Sequence, residues 1–308
     1  MFDIIGKRFW FFLISGVVIF TSIISLLTFG LKSGIEFSSG SMLTVDFEQE
    51  VKQSQLKQEL IDLGYTNVII QRTGAGDFII RTRELSSKDK TQLGDALTAR
   101  FGSLTEPEFS SVSPMIATET ARTAALAVAV AAVGILLYVT WAFRRMPNPF
   151  HYGTCAIIAL AHDALIALGI FSILGGILNW EINLMFITGI LAVIGYSVNN
   201  TVVIFDRIRE NLKMGVSNDF EIVVNNSLVE TLGRSLNTSL TTLIVVLVLL
   251  LFVGATIQNF VAVLIIGIIT GTFSSIAIAP SLLVVWDKGE WDRFIQWLPR
   301  LAAKVKSR

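Results

Sequence analysis

A few polar and ionisable side chains lie inside long apolar stretches of this chain, and these residues have the types and spacing suited to chemistry. Asp163 follows His162 near the middle of one apolar run, and Asn200 lies in the next run. Ionisable groups are costly at membrane depth, so each of them is a candidate for a functional role. Burial disfavours the charged form of a carboxylate, which would allow Asp163 to bind and release protons near neutral pH.

The most specific pattern is a polar stripe on the fifth apolar run. Five residues recur at the spacing of one helix face: Arg234, Asn237, Thr238, Thr241 and Thr242. A polar stripe on a membrane-spanning helix must face protein or water rather than lipid. Asn200 and Arg234 both lie roughly 10 Å from the inner membrane boundary at the rise of a helix, so we predict that they pair. The alternative role of the threonines is hydrogen bonding between helices.

Other residues in these runs favour structural roles. Asp206 and Arg207 end the fourth run and are predicted to anchor it at the membrane interface, with a coupling role as the alternative. His162 is interpreted as a buried histidine whose hydrogen bonds are satisfied. Gly267 and Gly271 form a small-xxx-small pattern that predicts a packing face between helices.

Composition defines the class of protein. The chain has 308 residues, a hydrophobic fraction of 53%, a charged fraction of 16% and a mean hydropathy of +0.66, which predict a polytopic membrane protein. The same values exclude a soluble enzyme and a nucleic-acid-binding module. One cysteine excludes a disulfide framework, and with two histidines no metal site is expected. No cofactor is predicted.

The order of apolar and polar segments predicts the domain organisation. Residues 1–31 form a cytoplasmic N-terminus and the first span, and residues 32–120 form an extramembrane domain. Residues 121–287 hold five more apolar runs, and residues 288–308 form a basic cytoplasmic tail suited to anionic lipid. The predicted fold is a membrane all-α six-helix bundle, with one α+β ferredoxin-like extracytoplasmic domain inserted between helices 1 and 2.

Hydrophobic alternation and helical spacing support that domain assignment. Strands are predicted over 42–47, 67–72, 78–83 and 108–112, helices over 54–63 and 87–101, and a hairpin turn over 73–77. The order β-α-β-β-α-β is that of a split βαβ, or ferredoxin-like, domain. Lysine and arginine are concentrated in the short loops on one side of the spans, so both termini are predicted to be cytoplasmic and the domain external.

Four segments together resemble the SecF family. Residues 195–211 resemble its fourth-helix signature, 161–163 its third-helix Ala-His-Asp motif, and 231–239 the start of its fifth helix. Residues 34–40 resemble a looser version of its glycine-rich box after the first helix. Glu36, Ser38 and Ser39 replace more usual residues there, and the loss of glycine predicts a less constrained turn.

The resemblance implies a function and a set of partners. Members of the family pair with SecD, which supplies six further spans, and assist the SecYEG channel and the SecA motor in exporting unfolded preproteins. The resemblance further implies a location in the bacterial cytoplasmic membrane and use of the proton motive force. The family usually has an aspartate at the position of Asn200, and a side-chain amide does not gain or lose a proton near neutral pH. Proton transfer therefore does not carry over to Asn200, and Arg234 would face a carboxylate supplied by SecD or Asp163.

Three other functions compete with an energy-coupled translocase subunit. A structural subunit would complete the SecD bundle without titrating, and Asn200 motivates this hypothesis. An intramembrane aspartyl enzyme is disfavoured because Asp206 lies at the membrane edge while Asp163 lies near the middle. A small-molecule exporter would rest on analogy of fold alone.

Overall fold

Within the part of the chain that the computed structural model describes, six helices are long and apolar enough to cross a membrane. The structure describes residues 2–66, 68–73, 76–252 and 255–291. After a short 3₁₀ turn, Ile5–Lys7, the spanning helices are α1 Arg8–Thr28, α5 Pro114–Ala142, α6 Pro149–Leu178, α7 Leu184–Met214, α8 Phe220–Phe252 and α9 Ala255–Phe273. The last span continues from α9 through a π-helical turn, Ser274–Ile278, into α10 Ala279–Lys288. The prediction of six apolar spans is confirmed.

The helices extend beyond the apolar runs and end at residues that favour helix termini. Pro114 and Pro149 occupy the first turns of α5 and α6, where no backbone donor is needed. Asn183 accepts a hydrogen bond from the Phe186 backbone N–H at 2.9 Å and so caps α7. Gly215 ends α7 in the left-handed conformation.

The polar segment between α1 and α5 forms a small antiparallel sheet. It contains a short helix α2 Ile35–Ser38, then β1 Gly40–Phe47, α3 Gln53–Asp62, β2 Ile69–Arg72, β3 Phe78–Thr82, α4 Ser87–Phe101 and β4 Leu104–Val112. The strand order is β2-β3-β1-β4, and every neighbouring pair is antiparallel. The strand β4 begins earlier than predicted, because its pairing with β1 continues past an irregularity in register between Thr44 and Asp46.

Helices α3 and α4 bury leucines against one face of the sheet. Leu43, Val45 and Ile80 from the strands are almost completely buried with Leu56 and Leu93 from the helices. Their positions agree with the alternation and helical spacing of the sequence. Helix α4 begins with a capping box between Ser86 and Asp89, whose hydrogen bonds lower the pKa of the Asp89 carboxyl. Helices α3 and α4 and the sheet therefore share one hydrophobic core.

The turn before β1 is more constrained than the sequence suggested. Ser39 adopts φ 63°, a left-handed conformation that a non-glycine residue rarely takes, and the prediction of a looser turn was wrong. Gly40 follows at φ 122°, and an added Cβ there would lie 2.6 Å from the Thr82 carbonyl oxygen. The close pairing of β1 with β3 imposes the turn although only one glycine remains.

Three predicted features lie partly outside the described residues. These are the first residue of the strand predicted over 67–72, the centre of the hairpin turn at 74–75 and the basic tail after Trp291. The tail can be described only through Trp291, whose ring contacts Trp286 edge to face at 5.7 Å.

Candidate functional site

Asp163 is the centre of a buried polar cluster within the helix bundle. Its side chain accepts hydrogen bonds from Ser197 at 2.7 Å and Ser274 at 2.8 Å, both through Oδ2. The other oxygen lies 3.0 Å from Nδ1 of His162, and Nε2 of that ring lies 3.0 Å from the Ser15 hydroxyl. Asp163 is 1% exposed and His162 4%. The carboxyl group therefore meets its polar neighbours inside the protein rather than water.

Four elements bring this cluster together, and one of them is irregular. The hydrogen-bonding side chains of the cluster come from α1, α6, α7 and the π-helical turn at Ser274–Ile278. Pro280 follows that turn and removes a backbone donor within the helix, which is a common cause of a break in helical hydrogen bonding. Ser275, in the same turn, donates a hydrogen bond to the Gly271 carbonyl. The irregular turn points Ser274 at the carboxylate, and π-helical turns occur frequently at functional sites.

Asn200 belongs to a second polar cluster, between α7, α8 and α9. Its amide donates a long hydrogen bond of 3.4 Å to the Ser239 hydroxyl. Tyr196 donates to the same hydroxyl at 3.0 Å, and Thr272 lies 2.7 Å from it. The predicted pairing with Arg234 is not formed, because Arg234 lies on the exposed side of α8 while Ser239 lies on its buried side.

The polar stripe of α8 lies on the outside of the bundle. Arg234, Asn237, Thr238 and Thr241 are all exposed, whereas Ser235 and Ser239 between them are buried. Thr241 donates to the backbone carbonyls of Asn237 and Thr238 in its own helix, at 2.9 and 3.0 Å. The guanidinium of Arg234 and the amide of Asn237 require a polar environment at membrane depth. The α8 polar face, defined as residues 234, 237, 238 and 241, is therefore unsuited to contact with lipid.

Asp206 and Arg207 lie at the opposite end of the bundle from the sheet and make separate ion pairs. Asp206 contacts Arg209 one turn along α7. Arg207 binds Glu230 of α8 at 2.6 Å and Glu210 at 2.8 Å. The half-exposed Arg207–Glu230 contact joins α7 to α8, which suits an anchoring role at the interface. The structure brings neither residue into the Asp163 cluster.

Gly267 and Gly271 allow α9 to approach α7 closely. A Cβ added at Gly267 would lie 2.1 Å from Cγ2 of Val193, and one at Gly271 would lie 3.0 Å from Cβ of Ser197. Gly271 also lies beside the Asp163 carboxylate, 3.5 Å from its Oδ2 at the position of an added Cβ. Close backbone approach through small residues is a common way to pack membrane helices.

Replacing Gly267 by alanine is expected to lower the stability of the bundle by about 1–3 kcal/mol, because the new methyl group would overlap the buried Val193 side chain. Gly195→Ala is the matched control, since a Cβ on that α7 residue has no neighbour within 4 Å. Thermal unfolding of the two variants in detergent measures the difference. Equal melting temperatures would contradict the packing role of Gly267.

The sheet is fastened to the loop between α6 and α7. Ile182 in this loop donates to the Lys32 carbonyl at 2.8 Å and accepts from the Gly34 backbone N–H at 2.7 Å. Glu181 forms an ion pair with Arg81 of β3, and the Arg81 guanidinium also donates to the Ser33 carbonyl at 3.2 Å. Helices α6 and α7 contribute residues to the two polar clusters. A movement of either helix would therefore displace the sheet through the bonds made by this loop.

Burial raises the pKa of the Glu181 carboxyl above its ordinary value, against the opposing attraction of Arg81. Glu36 raises this pKa further, and Lys32 lowers it. A group with a raised pKa stabilises the docked loop most at pH values below the ordinary 4.5, and this contribution is lost as the pH rises through the raised pKa. The docked loop is therefore expected to tighten as the solution becomes acidic.

Hydrogen exchange of the Gly34 and Ile182 amides, corrected for intrinsic rates, measures this dependence. Protection is expected to increase as the pH falls, and Glu181→Gln should remove the dependence while leaving the loop docked. The control Glu50→Gln changes an exposed carboxylate elsewhere and should leave the dependence intact. Protection that increased with rising pH would contradict the sign of the linkage.

Comparison with known proteins identifies the family. The family model "Protein export membrane protein SecD/SecF, C-terminal" matches residues 92–289, and the "SecD/SecF GG Motif" model matches residues 24–51. The chain belongs to the SecD/SecF family. This confirms the resemblance found in the sequence, and the second match covers the segment that contains Ser39 and Gly40.

Relatives of this family match almost the whole chain. The protein translocase subunit SecF of Thermobaculum terrenum is 41% identical over 96% of this chain and 97% of that relative. SecF of Anaerolinea thermophila is 40% identical with the same coverage. The crystal structure of SecDF from Thermus thermophilus superimposes with a TM-score of 0.83 at 31% identity, over 93% of this chain and 39% of that one. The relatives are named as translocase subunits, which confirms a transport role rather than an enzymatic one.

Sequence reasoning missed several members of the two clusters. Ser15, Tyr196, Ser239 and Thr272 were not singled out, and His162 was interpreted only as a satisfied buried residue. Ser15 could have been found from its spacing, because Ser15, Ser22 and Ser25 are buried on one face of the otherwise apolar α1. Thr272 and Ser239 had no comparable signal, because isolated hydroxyl residues are frequent in spanning helices.

Proposed function

We propose that this chain is one half of a two-part export complex, in which it pairs with SecD and uses the proton motive force to assist SecYEG and SecA. The observation that carries this proposal is the α8 polar face, which leaves Arg234 and Asn237 exposed at membrane depth. Such groups require a protein surface or water, and a second set of spans supplies the surface. Bacillus subtilis SecDF, of which this chain covers 38%, supports a SecD partner because its name joins the two proteins.

In this proposal the four segments of the chain have separate roles. Residues 1–31 and 121–287 form the membrane bundle, residues 32–120 form a ferredoxin-like domain outside the membrane, and residues 288–308 form a cytoplasmic tail on the lipid surface. Both termini are cytoplasmic. The strand order β2-β3-β1-β4 supports the ferredoxin-like assignment. The domain would meet unfolded preprotein as it leaves the channel.

Energy reaches the external domain through the loop at Glu181 and Ile182. The buried Asp163 cluster supports a site for proton uptake, since a carboxylate at membrane depth is a functional candidate by default. One charge moved through 100 mV yields about 2.3 kcal/mol, which is enough to bias a two-state equilibrium appreciably. The contacts between the loop and the sheet would convert that bias into movement of the domain.

Export into sealed vesicles tests the proposed function. The vesicles hold SecYEG, SecA and the SecD partner, with or without this chain, and export is measured with a proton gradient imposed and with it collapsed. The chain is expected to stimulate export only when the gradient is present. Equal stimulation under both conditions would overturn energy coupling and favour a purely structural subunit, for which Asn200 is the motivating residue.

A further inference from the structure

The polar neighbours of the His162–Asp163 pair are neutral. Within the described part of the chain, the hydrogen bonds to the pair from other helices come from the hydroxyls of Ser15, Ser197 and Ser274. The ring of Phe273 stacks against His162 with a centroid separation of 6.2 Å. Neither Arg234 nor Asp206, the other ionisable candidates at depth, contacts the pair. Its net charge is therefore decided by its own two members.

Hydrogen-bond geometry assigns roles to the ring nitrogens. An ionised carboxylate only accepts hydrogen bonds, and Asp163 is approached by two serine hydroxyls and by Nδ1 of His162. With a proton on Nδ1, a neutral ring has its lone pair at Nε2, where it accepts from the Ser15 hydroxyl. This form carries one net negative charge in a buried site. A second proton on the ring makes the pair neutral overall, which removes the cost of an unpaired buried charge.

We propose that Nε2 of His162 is the atom that binds and releases the coupled proton, with Asp163 as its fixed counter-charge and Ser15 as the relay. The inference rests on the proposed function and names the group that carries the proton there. In the empty form Ser15 donates to Nε2. In the loaded form Nε2–H donates to the Ser15 oxygen, and the hydroxyl proton turns to the carbonyl one helical turn earlier, as serines in helices commonly do. One proton is gained or lost, and no covalent bond between heavy atoms changes.

This assignment gives the otherwise apolar helix α1 a part in proton handling. Ser15 is buried on the face of α1 that packs against α6, and its hydroxyl is the group next to Nε2. Because Asn200 cannot titrate, the proton site of this chain moves from α7 to the contact between α1 and α6. Ser197 of α7 and Ser274 hold the counter-charge in place from the other side.

Nitrogen-15 NMR of histidine measures the inference directly. The chain has only two histidines, so His151→Gln leaves the His162 signals alone in the labelled full chain, reconstituted in vesicles with unlabelled SecD partner. Both ring nitrogens are expected to be protonated at acidic pH and only Nδ1 at alkaline pH. A ring that stays neutral at every pH would overturn the inference, and so would a ring that loses its proton from Nδ1 first.

Export assays with serine variants supply a second, independent readout. Ser15→Ala is expected to reduce gradient-dependent stimulation to the level seen with the gradient collapsed, while Ser15→Thr, which keeps a hydroxyl, should restore it. Ser22→Ala is the matched control, since Ser22 is buried on the same face of α1. Full gradient dependence in Ser15→Ala would overturn the relay. If the unaltered chain shows no gradient dependence, the proposed function fails, and the NMR titration alone then decides on the proton site.

Discussion

Replacing Arg234 by leucine is expected to change stability and function in opposite directions. In the chain alone, the exposed guanidinium costs about 2.5–3.5 kcal/mol at membrane depth, so its removal should stabilise the isolated bundle in a bilayer. In the proposed complex with SecD, the same change would remove the charge of the α8 polar face that we assign to the contact between the two proteins. Gradient-dependent stimulation of export should therefore fall to the level of the collapsed gradient.

Two controls separate charge from bulk at this position. Arg234→Lys keeps the positive charge and should retain part of the gradient-dependent stimulation of export. Lysine cannot form the bidentate contact that arginine makes with a carboxylate. Leu236→Ala alters an exposed apolar residue of the same helix and should leave the gradient dependence unchanged. Full gradient dependence in Arg234→Leu would show that the α8 polar face has no part in coupling.

Replacing Arg8 by alanine is expected to destabilise the bundle by about 1.5–3 kcal/mol, because it removes the charge-assisted hydrogen bonds that the buried guanidinium donates to the carboxylates of Glu221 and Glu290. Arg8 is 5% exposed and binds Glu290 through two nitrogens, at 2.6 and 3.1 Å, and Glu221 at 2.6 Å. These contacts join the starts of α1 and α8 to the end of the last span. The measurement is thermal unfolding of the full chain in detergent.

Lys7→Ala is the matched control for Arg8, since Lys7 is the preceding basic residue and is exposed. It should leave the melting temperature nearly unchanged, as expected for most surface substitutions. A melting temperature for Arg8→Ala close to that of Lys7→Ala would mean that the charged contacts at this end of the bundle add no stability.

The membrane spans and the sheet could be predicted because their signals are local. Apolar runs long enough to cross a bilayer define the helices, and α4 begins and ends at the predicted residues, 87 and 101, because Ser86 caps it and Gly102 ends it. The bounds of β4 could not be predicted, because they depend on pairing with β1 in a register that contains an irregularity. The constrained turn at Ser39 was missed for the same reason, since pairing between strands imposes it.

The candidate site was predicted only in part. The sequence indicates how deep in the membrane a residue of a helix lies, but not which neighbouring helix its side chain faces. The sequence placed Asp163 and Asn200 inside the membrane and grouped the α8 stripe on one helix face. Asn200 and Arg234 were expected to meet because their depths match. In the structure Asn200 faces Ser239, and Arg234 lies on the other side of the same helix. Which face of a helix meets which neighbour depends on packing, including the close approach of α9 at Gly267.

Photo-crosslinking from the α8 polar face tests the central claim most directly. A photoreactive amino acid is placed at Thr238 or Thr241 of the full chain, which is assembled with SecD in the membrane and irradiated. Ile14, exposed on the apolar face of α1, is the control position. We expect covalent products with SecD from both α8 positions and lipid adducts alone from Ile14. Lipid adducts alone from Thr238 and Thr241, in a complex that still co-purifies with SecD, would contradict the account.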